Sequence, residues 1–120
     1  MDYDKSRPQL PERDVDGFFA YDVRVGTVLR AEVNVGARKP AYVLTVDFGA
    51  LGTRTTSAQV TRHYGPGDLV GRQVVAVLNF PARRVAGVRS EVLVLGACSA
   101  SDDVVLLAPE RPVENGTPVA

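Results

Sequence analysis

Apolar and polar residues alternate with a period of two along most of the chain from Val23 onward. Val23, Val25, Thr27 and Leu29 fall on one face and Arg24 and Arg30 on the other, which predicts a strand. Gly26 lies inside this run, and a glycine within a strand often marks a bend or bulge of the kind small barrels need. The strand continues through Ala31 to Val35 and ends at Gly36-Ala37-Arg38-Lys39-Pro40, a turn that displays two cations. Tyr42 to Phe48 alternates again, and Gly49-Ala50-Leu51-Gly52 closes a hairpin. Thr53 to Ala58 is β-rich and polar, so at least one of its faces is wet. Gln59 to Leu69 reads as a short helix or turn broken by Gly65-Pro66-Gly67. Arg72 to Phe80, Ser90 to Cys98 and Val104 to Leu107 complete the strands. The nearly continuous apolar runs of the first two predict cover on both faces.

Ahead of the strands, residues 1–13 carry Pro8 and Pro11 among polar residues and predict an extended arm. Asp14 or Asp16 is placed to cap a short helical turn through Phe18-Phe19-Ala20, whose paired rings would anchor on the barrel or on a second subunit. The segment Pro109 to Pro118 is irregular. The expected division is therefore an arm over residues 1–15 and one domain over residues 16–120 that includes the C-terminal arm. Five or more short strands, glycine bends and one short helix predict an all-β fold. The economical choice is a small five-stranded oligonucleotide/oligosaccharide-binding (OB) barrel, with a short N-terminal helical turn, a short inter-strand helix and irregular N- and C-terminal arms. A small β-sandwich is the alternative.

Composition narrows the classes. A chain of 120 residues, 45% hydrophobic and 23% charged, fits one soluble domain with one core. No run is long enough for a membrane span, so membrane insertion is not expected, and Met1-Asp2-Tyr3-Asp4-Lys5 lacks the apolar stretch of a signal peptide. One cysteine, Cys98, excludes an internal disulfide and suits a reducing cytoplasm. It follows an apolar strand and is expected to be buried and inert.

Fourteen basic and fourteen acidic residues give a net charge of zero, but they are unevenly spread. Residues 54–90 hold six arginines (Arg54, Arg62, Arg72, Arg83, Arg84 and Arg89) against Asp68 alone, while both ends of the chain are acidic. Either the middle forms a positive face or the acids neutralise it in space.

No catalytic or metal-binding constellation can be assembled. His63 is the only imidazole, no CxxC or HxxxH spacing occurs, and Asp102-Asp103 lies in a turn signal. No enzyme activity, metal or cofactor is expected. Binding chemistry is better represented, because arginine's planar fork suits phosphate oxygens. Asn79, Ser57, Gln59 and Ser90 add neutral donors and acceptors, and Phe80 and Tyr42 offer stacking faces.

Three ordered motifs carry a resemblance. Asp22-Val23-Arg24-Val25-Gly26-Thr27-Val28, then Ser57-Ala58-Gln59-Val60, then the stretch from Asn79-Phe80-Pro81-Ala82-Arg83-Arg84 through Ser90-Glu91-Val92 to Gly96 together resemble the tRNA-binding-domain family, and within it the CsaA-type group. The resemblance covers the chain from about Asp16 onward. It implies an OB barrel acting without catalysis as a cytoplasmic homodimer, with tRNA or tRNA-like RNA and unfolded preproteins as partners, in an export-related chaperone role. By motif position it assigns RNA binding to Ser57, Gln59, Asn79, Arg83, Arg84 and Ser90. Arg38, Lys39 and Arg54 join them as nearby basic residues, and Phe18 and Phe19 are the expected dimer or peptide contacts. A dedicated peptide- or preprotein-binding chaperone with little RNA role, or an accessory that brings tRNA to a synthetase, is the alternative.

Overall fold

In a computed structural model that describes residues 1–120, the chain forms a nearly closed antiparallel barrel of five strands with short helices and two two-stranded hairpins. In chain order the elements are α1 (Val15–Phe19), β1 (Val23–Val33), β2 (Tyr42–Asp47), a 3-10 turn at Gly49–Leu51, β3 (Thr53–Ala58), α2 (Pro66–Leu69), β4 (Gln73–Val77), β5 (Arg83–Val85), β6 (Val88–Ser90), β7 (Leu93–Val94), β8 (Gly96–Ala100) and β9 (Asp103–Leu106). The barrel strands run β3-β2-β1-β4-β7. Closure comes where the start of β7 meets β3. The Glu91 N–H donates to the Thr55 carbonyl at 2.9 Å, and the Thr56 hydroxyl donates to the Val92 carbonyl at 2.8 Å. This is the small OB-like barrel expected from the strand pattern, and the sandwich alternative falls away.

Two apolar clusters sit on opposite sides of the shared sheet. The barrel interior holds Val28, Leu44, Val46, Phe48, Leu69, Val74, Ala76 and Leu78. Phe48 and Leu44 are fully buried, and each such side chain contributes about 1.5–3 kcal/mol from burial. The outer cluster holds Val23, Val25, Val75 and Val77, covered by Leu95, Val113 and Val119. The apolar run of β4 is thus buried on both faces, as its sequence requires.

β1 departs from the expected face. Val23 and Val25 belong to the outer cluster and Val28, on the alternate face, to the barrel interior, but Leu29 is exposed instead of joining Val23 and Val25, and beyond it Ala31 packs on the interior. The register with β2 skips between Val28 and Arg30, so the bulge falls at Leu29 and inverts the alternation. Gly26 has a separate reason to be glycine. A Cβ there would lie 2.7 Å from the Phe48 ring and from a Val46 methyl. Ser90 to Cys98 is likewise not one strand, being divided among β6, β7 and β8.

The helices are short and set by their caps. Asp14 caps α1 through a 3.0 Å bond from the Asp16 N–H, and no residue of α1 is buried. Phe18 and Phe19 pack edge-to-face on each other, 5.5 Å apart, and do not enter the core. The Gly65-Pro66-Gly67 sequence, expected to break a helix, begins one instead. Pro66 takes the first helical position, where its missing N–H costs nothing, and Asp68 accepts from the Gly65 N–H at 2.8 Å.

The irregular C-terminal segment packs along its own barrel as a strap on the free edge of β1. Val25 N–H donates to Thr117, Gly116 N–H to Val25 and Val119 N–H to Val23, at 3.0, 2.7 and 2.8 Å. Gln73 grips Val113 in both directions, donating to its carbonyl at 2.7 Å and accepting from its N–H at 3.0 Å. The strap hides an edge that would otherwise offer unpaired backbone groups.

Candidate nucleic-acid interface

Three connections converge on one side of the barrel and leave a groove of about 950 Å³ between them. The first is the turn after β1. Asn34 organises it, accepting from the Gly36 N–H at 3.3 Å while its own N–H donates to the Ala41 carbonyl at 2.9 Å. The second is the end of β3, where Asn34 reaches across to donate to the Ser57 hydroxyl at 3.2 Å. The third is the β5–β6 hairpin. Its two-residue turn places Ala86 and Gly87 at φ 48° and 83°, the left-handed pair that suits the twist of a tight hairpin. Gly36 lets the first and third connections touch, since a Cβ there would lie 3.0 Å from the Ala86 carbonyl oxygen.

Of the residues expected to bind RNA, this arrangement brings Arg38, Lys39, Ser57, Gln59, Arg83 and Ser90 to the groove lining. Arg54, Asn79 and Arg84 lie outside it. Arg84 donates to the Gly87 carbonyl at 3.1 Å and so braces its own hairpin. Asn79 is engaged by the chain itself. Its side-chain oxygen accepts from the Asp22 N–H at 2.8 Å, and its nitrogen donates to the Ala20 carbonyl at 2.9 Å. That clamp holds the link between α1 and β1 against the end of β4. It also positions Tyr21 against Phe80, with ring centres 5.7 Å apart. Ser90 is held rigidly, its hydroxyl 2.9 Å from that of Thr56 and accepting from the Ser57 N–H at 3.2 Å.

The charges of the groove are free. The acids near arginine pair elsewhere: Asp22 with Arg24, Glu32 with Arg30, Asp102 and Asp103 with Arg62, and Glu110 with Arg111. Arg38, Lys39, Arg54, Arg83, Arg84 and Arg89 form no ion pair, so of the basic middle only Arg62 is neutralised by direct contact with an acidic end of the chain. Cations left unpaired around a concave surface concentrate positive potential there.

Other expectations change in detail. Tyr42 offers no stacking face, because it is buried with its hydroxyl donating to the Tyr64 carbonyl at 2.7 Å. Phe80 is 41% exposed and lines the groove. Cys98 is only half-buried and also lines it, together with Val104 from β9. The sequence pattern could not show this, because the β8–β9 hairpin is placed by bonds to residues far away in sequence: the Leu106 N–H donates to the Tyr64 hydroxyl at 3.0 Å. His63 lies 2.5 Å from Asp103, and the Ser99 hydroxyl donates to the same carboxylate. The Ser99 bond, then that of His63, holds the Asp103 carboxyl below its ordinary value. Serine and histidine both bind the carboxylate rather than each other, so the group is a brace and not a Ser-His-Asp relay.

Residues 23–118 match the family model described as a putative tRNA binding domain. The chain belongs to the tRNA-binding-domain family. Within that family it is of the CsaA type: it is 49% identical to the chaperone CsaA of Bacillus anthracis, with a TM-score of 0.88 over 92% of this chain and 100% of that one. The CsaA chaperone of Picrophilus torridus is 38% identical, with a TM-score of 0.84 over 91% of this chain and all of that one. The chain is also 41% identical over 112 residues to a methionine–tRNA ligase of Methanothrix thermoacetophila. That match covers 93% of this chain but only 16% of the ligase.

Proposed function

We propose that the groove binds tRNA or tRNA-like RNA without catalysing a reaction, in the cytoplasm and as part of a chaperone role in protein export. The observation that carries this is the convergence of Arg38, Lys39 and Arg83, none of them in an ion pair, around a groove that also presents Ser57, Gln59 and the Phe80 ring. Cations on the rim suit phosphates, the amide and hydroxyl suit base edges, and the ring suits stacking.

Filter binding of a tRNA pool against salt tests it. Three phosphate contacts on a single strand give a slope of log affinity on log salt of about −2, or roughly a twentyfold loss between about 50 and 200 mM. The Arg38→Ala/Lys39→Ala/Arg83→Ala variant should flatten that slope. A variant that keeps the wild-type slope and affinity, or a wild type that binds no tRNA at low salt, overturns the proposal.

A second reading rests on the apolar part of the lining, where Phe80, Leu93 and Val104 share the groove with the buried Val60 and Val92. Such a floor suits an extended segment of an unfolded preprotein, bound in salt that abolishes RNA binding. The exposed Phe18 and Phe19 support assembly as a homodimer, and sedimentation as a monomer at micromolar concentration would remove that part.

A further inference from the structure

Glu91 is the one carboxylate in the groove lining. It shares the groove with Arg38, Lys39 and Arg83, yet it forms no ion pair with any of them. The backbone around it is fixed: its own N–H is bonded to Thr55, Ser90 before it is held by Thr56, and Val92 after it is buried. No hydrogen bond of the fold uses its side chain. A groove that only gripped phosphates would be weakened by such a group, because a carboxylate repels a polyanion. A carboxylate held in that place is matched instead by a donor edge on the ligand.

Base chemistry narrows which edge. A carboxylate presents two acceptor oxygens and favours two adjacent donors. On the pairing edge of an unstacked base, guanine alone offers two, its N1–H and its N2 amino group. Adenine and cytosine set one amino group beside an acceptor, and uracil sets one N–H between two carbonyls. Unpaired bases in single-stranded segments are read on these edges while stacked on aromatic rings, and Phe80 supplies a ring on the same groove. We propose that Glu91 selects an unpaired guanine, accepting from N1–H and N2–H while Arg38, Lys39 and Arg83 hold the flanking phosphates. This rests on the RNA reading given above.

Fluorescence anisotropy with uridine nonamers carrying guanine, inosine, adenine, cytosine or uridine at the centre tests the assignment. The guanine nonamer should bind about tenfold more tightly than the all-uridine one, as expected for a bidentate base contact. Inosine, which lacks the amino group, should fall between them. Glu91→Gln turns one acceptor into a donor that faces guanine's donors, so it should erase the preference while all-uridine binding holds or rises. That retained binding also shows the variant to be folded. Wild-type binding without a guanine preference, or a Glu91→Gln shift equal for all nonamers, overturns this inference and leaves the RNA reading standing. Wild-type protein that binds the tRNA pool but none of the nonamers overturns this inference alone, and protein that binds neither brings down both.

Discussion

Asn79→Ala separates a side chain that holds the chain from one that touches a ligand. In the fold its amide makes two hydrogen bonds to backbone, to the Asp22 N–H at 2.8 Å and to the Ala20 carbonyl at 2.9 Å. Each neutral bond of this kind is worth about 0.5–1.5 kcal/mol net, and both lie near solvent, so the pair contributes roughly 1–2 kcal/mol. For a domain of this size that lowers Tm by about 4–8 °C, read by circular dichroism. Asn79→Asp keeps the acceptor for Asp22 but loses the donor to Ala20 and adds a charge facing a carbonyl, so it should not restore stability. Affinity for tRNA should fall only modestly, through loosened support of Tyr21 against Phe80. Unchanged Tm combined with a tenfold loss of tRNA affinity would refute the clamp and return Asn79 to the ligand.

Two further outcomes follow from the packing and the charges. Gly26→Ala forces a methyl to within 2.7 Å of Phe48 and Val46, and overpacking of that kind costs about 1–3 kcal/mol; a wild-type urea midpoint would show that the ring yields freely. Asp103→Asn removes a carboxylate whose folded value is depressed from 3.8 by Ser99 and His63. The stability it adds is complete above 3.8 and lost as pH falls through the lower folded value, so wild type and variant should converge in acid; urea midpoints that stay equally far apart down to about pH 2 would refute this.

The legibility of the sequence varied with the range of the interaction that decided each element. β4 was plain because burial on both faces leaves an unbroken apolar run, and the turn at Gly36–Pro40 was plain because its residues are local signals. The bulge at Leu29 was hidden, since neither glycine nor proline marks it. It is imposed by pairing with β2 beyond Val28. The C-terminal strap looked irregular because its partners, β1 and Gln73, lie far away in sequence. For the groove, the motifs pointed to Ser57, Gln59, Arg83 and Ser90. Tyr42 was mistaken for a surface ring because an alternating strand does not say which of its faces is inward. Glu91 stood beside Ser90 in the same motif but nothing there assigned it a role, whereas Cys98 and Val104 carried no signal of their own and reach the groove only because the β8–β9 hairpin docks there.

The double burial of β4 has a consequence for alignment. In most strands a one-residue slip throws apolar side chains into water, which forbids it. Here Val74, Ala76 and Leu78 would simply exchange sides with Val75 and Val77, and hydrophobicity alone would hardly object. Alignment must be fixed at the strand's two ends. Gln73 is tied to Val113 and Asn115 at one, and the Leu78 N–H donates to the Asp22 carbonyl at 2.8 Å at the other. A polar glutamine at the head of a greasy strand thus acts as its register pin, and through the strap it makes the end of the chain a proofreader of the middle.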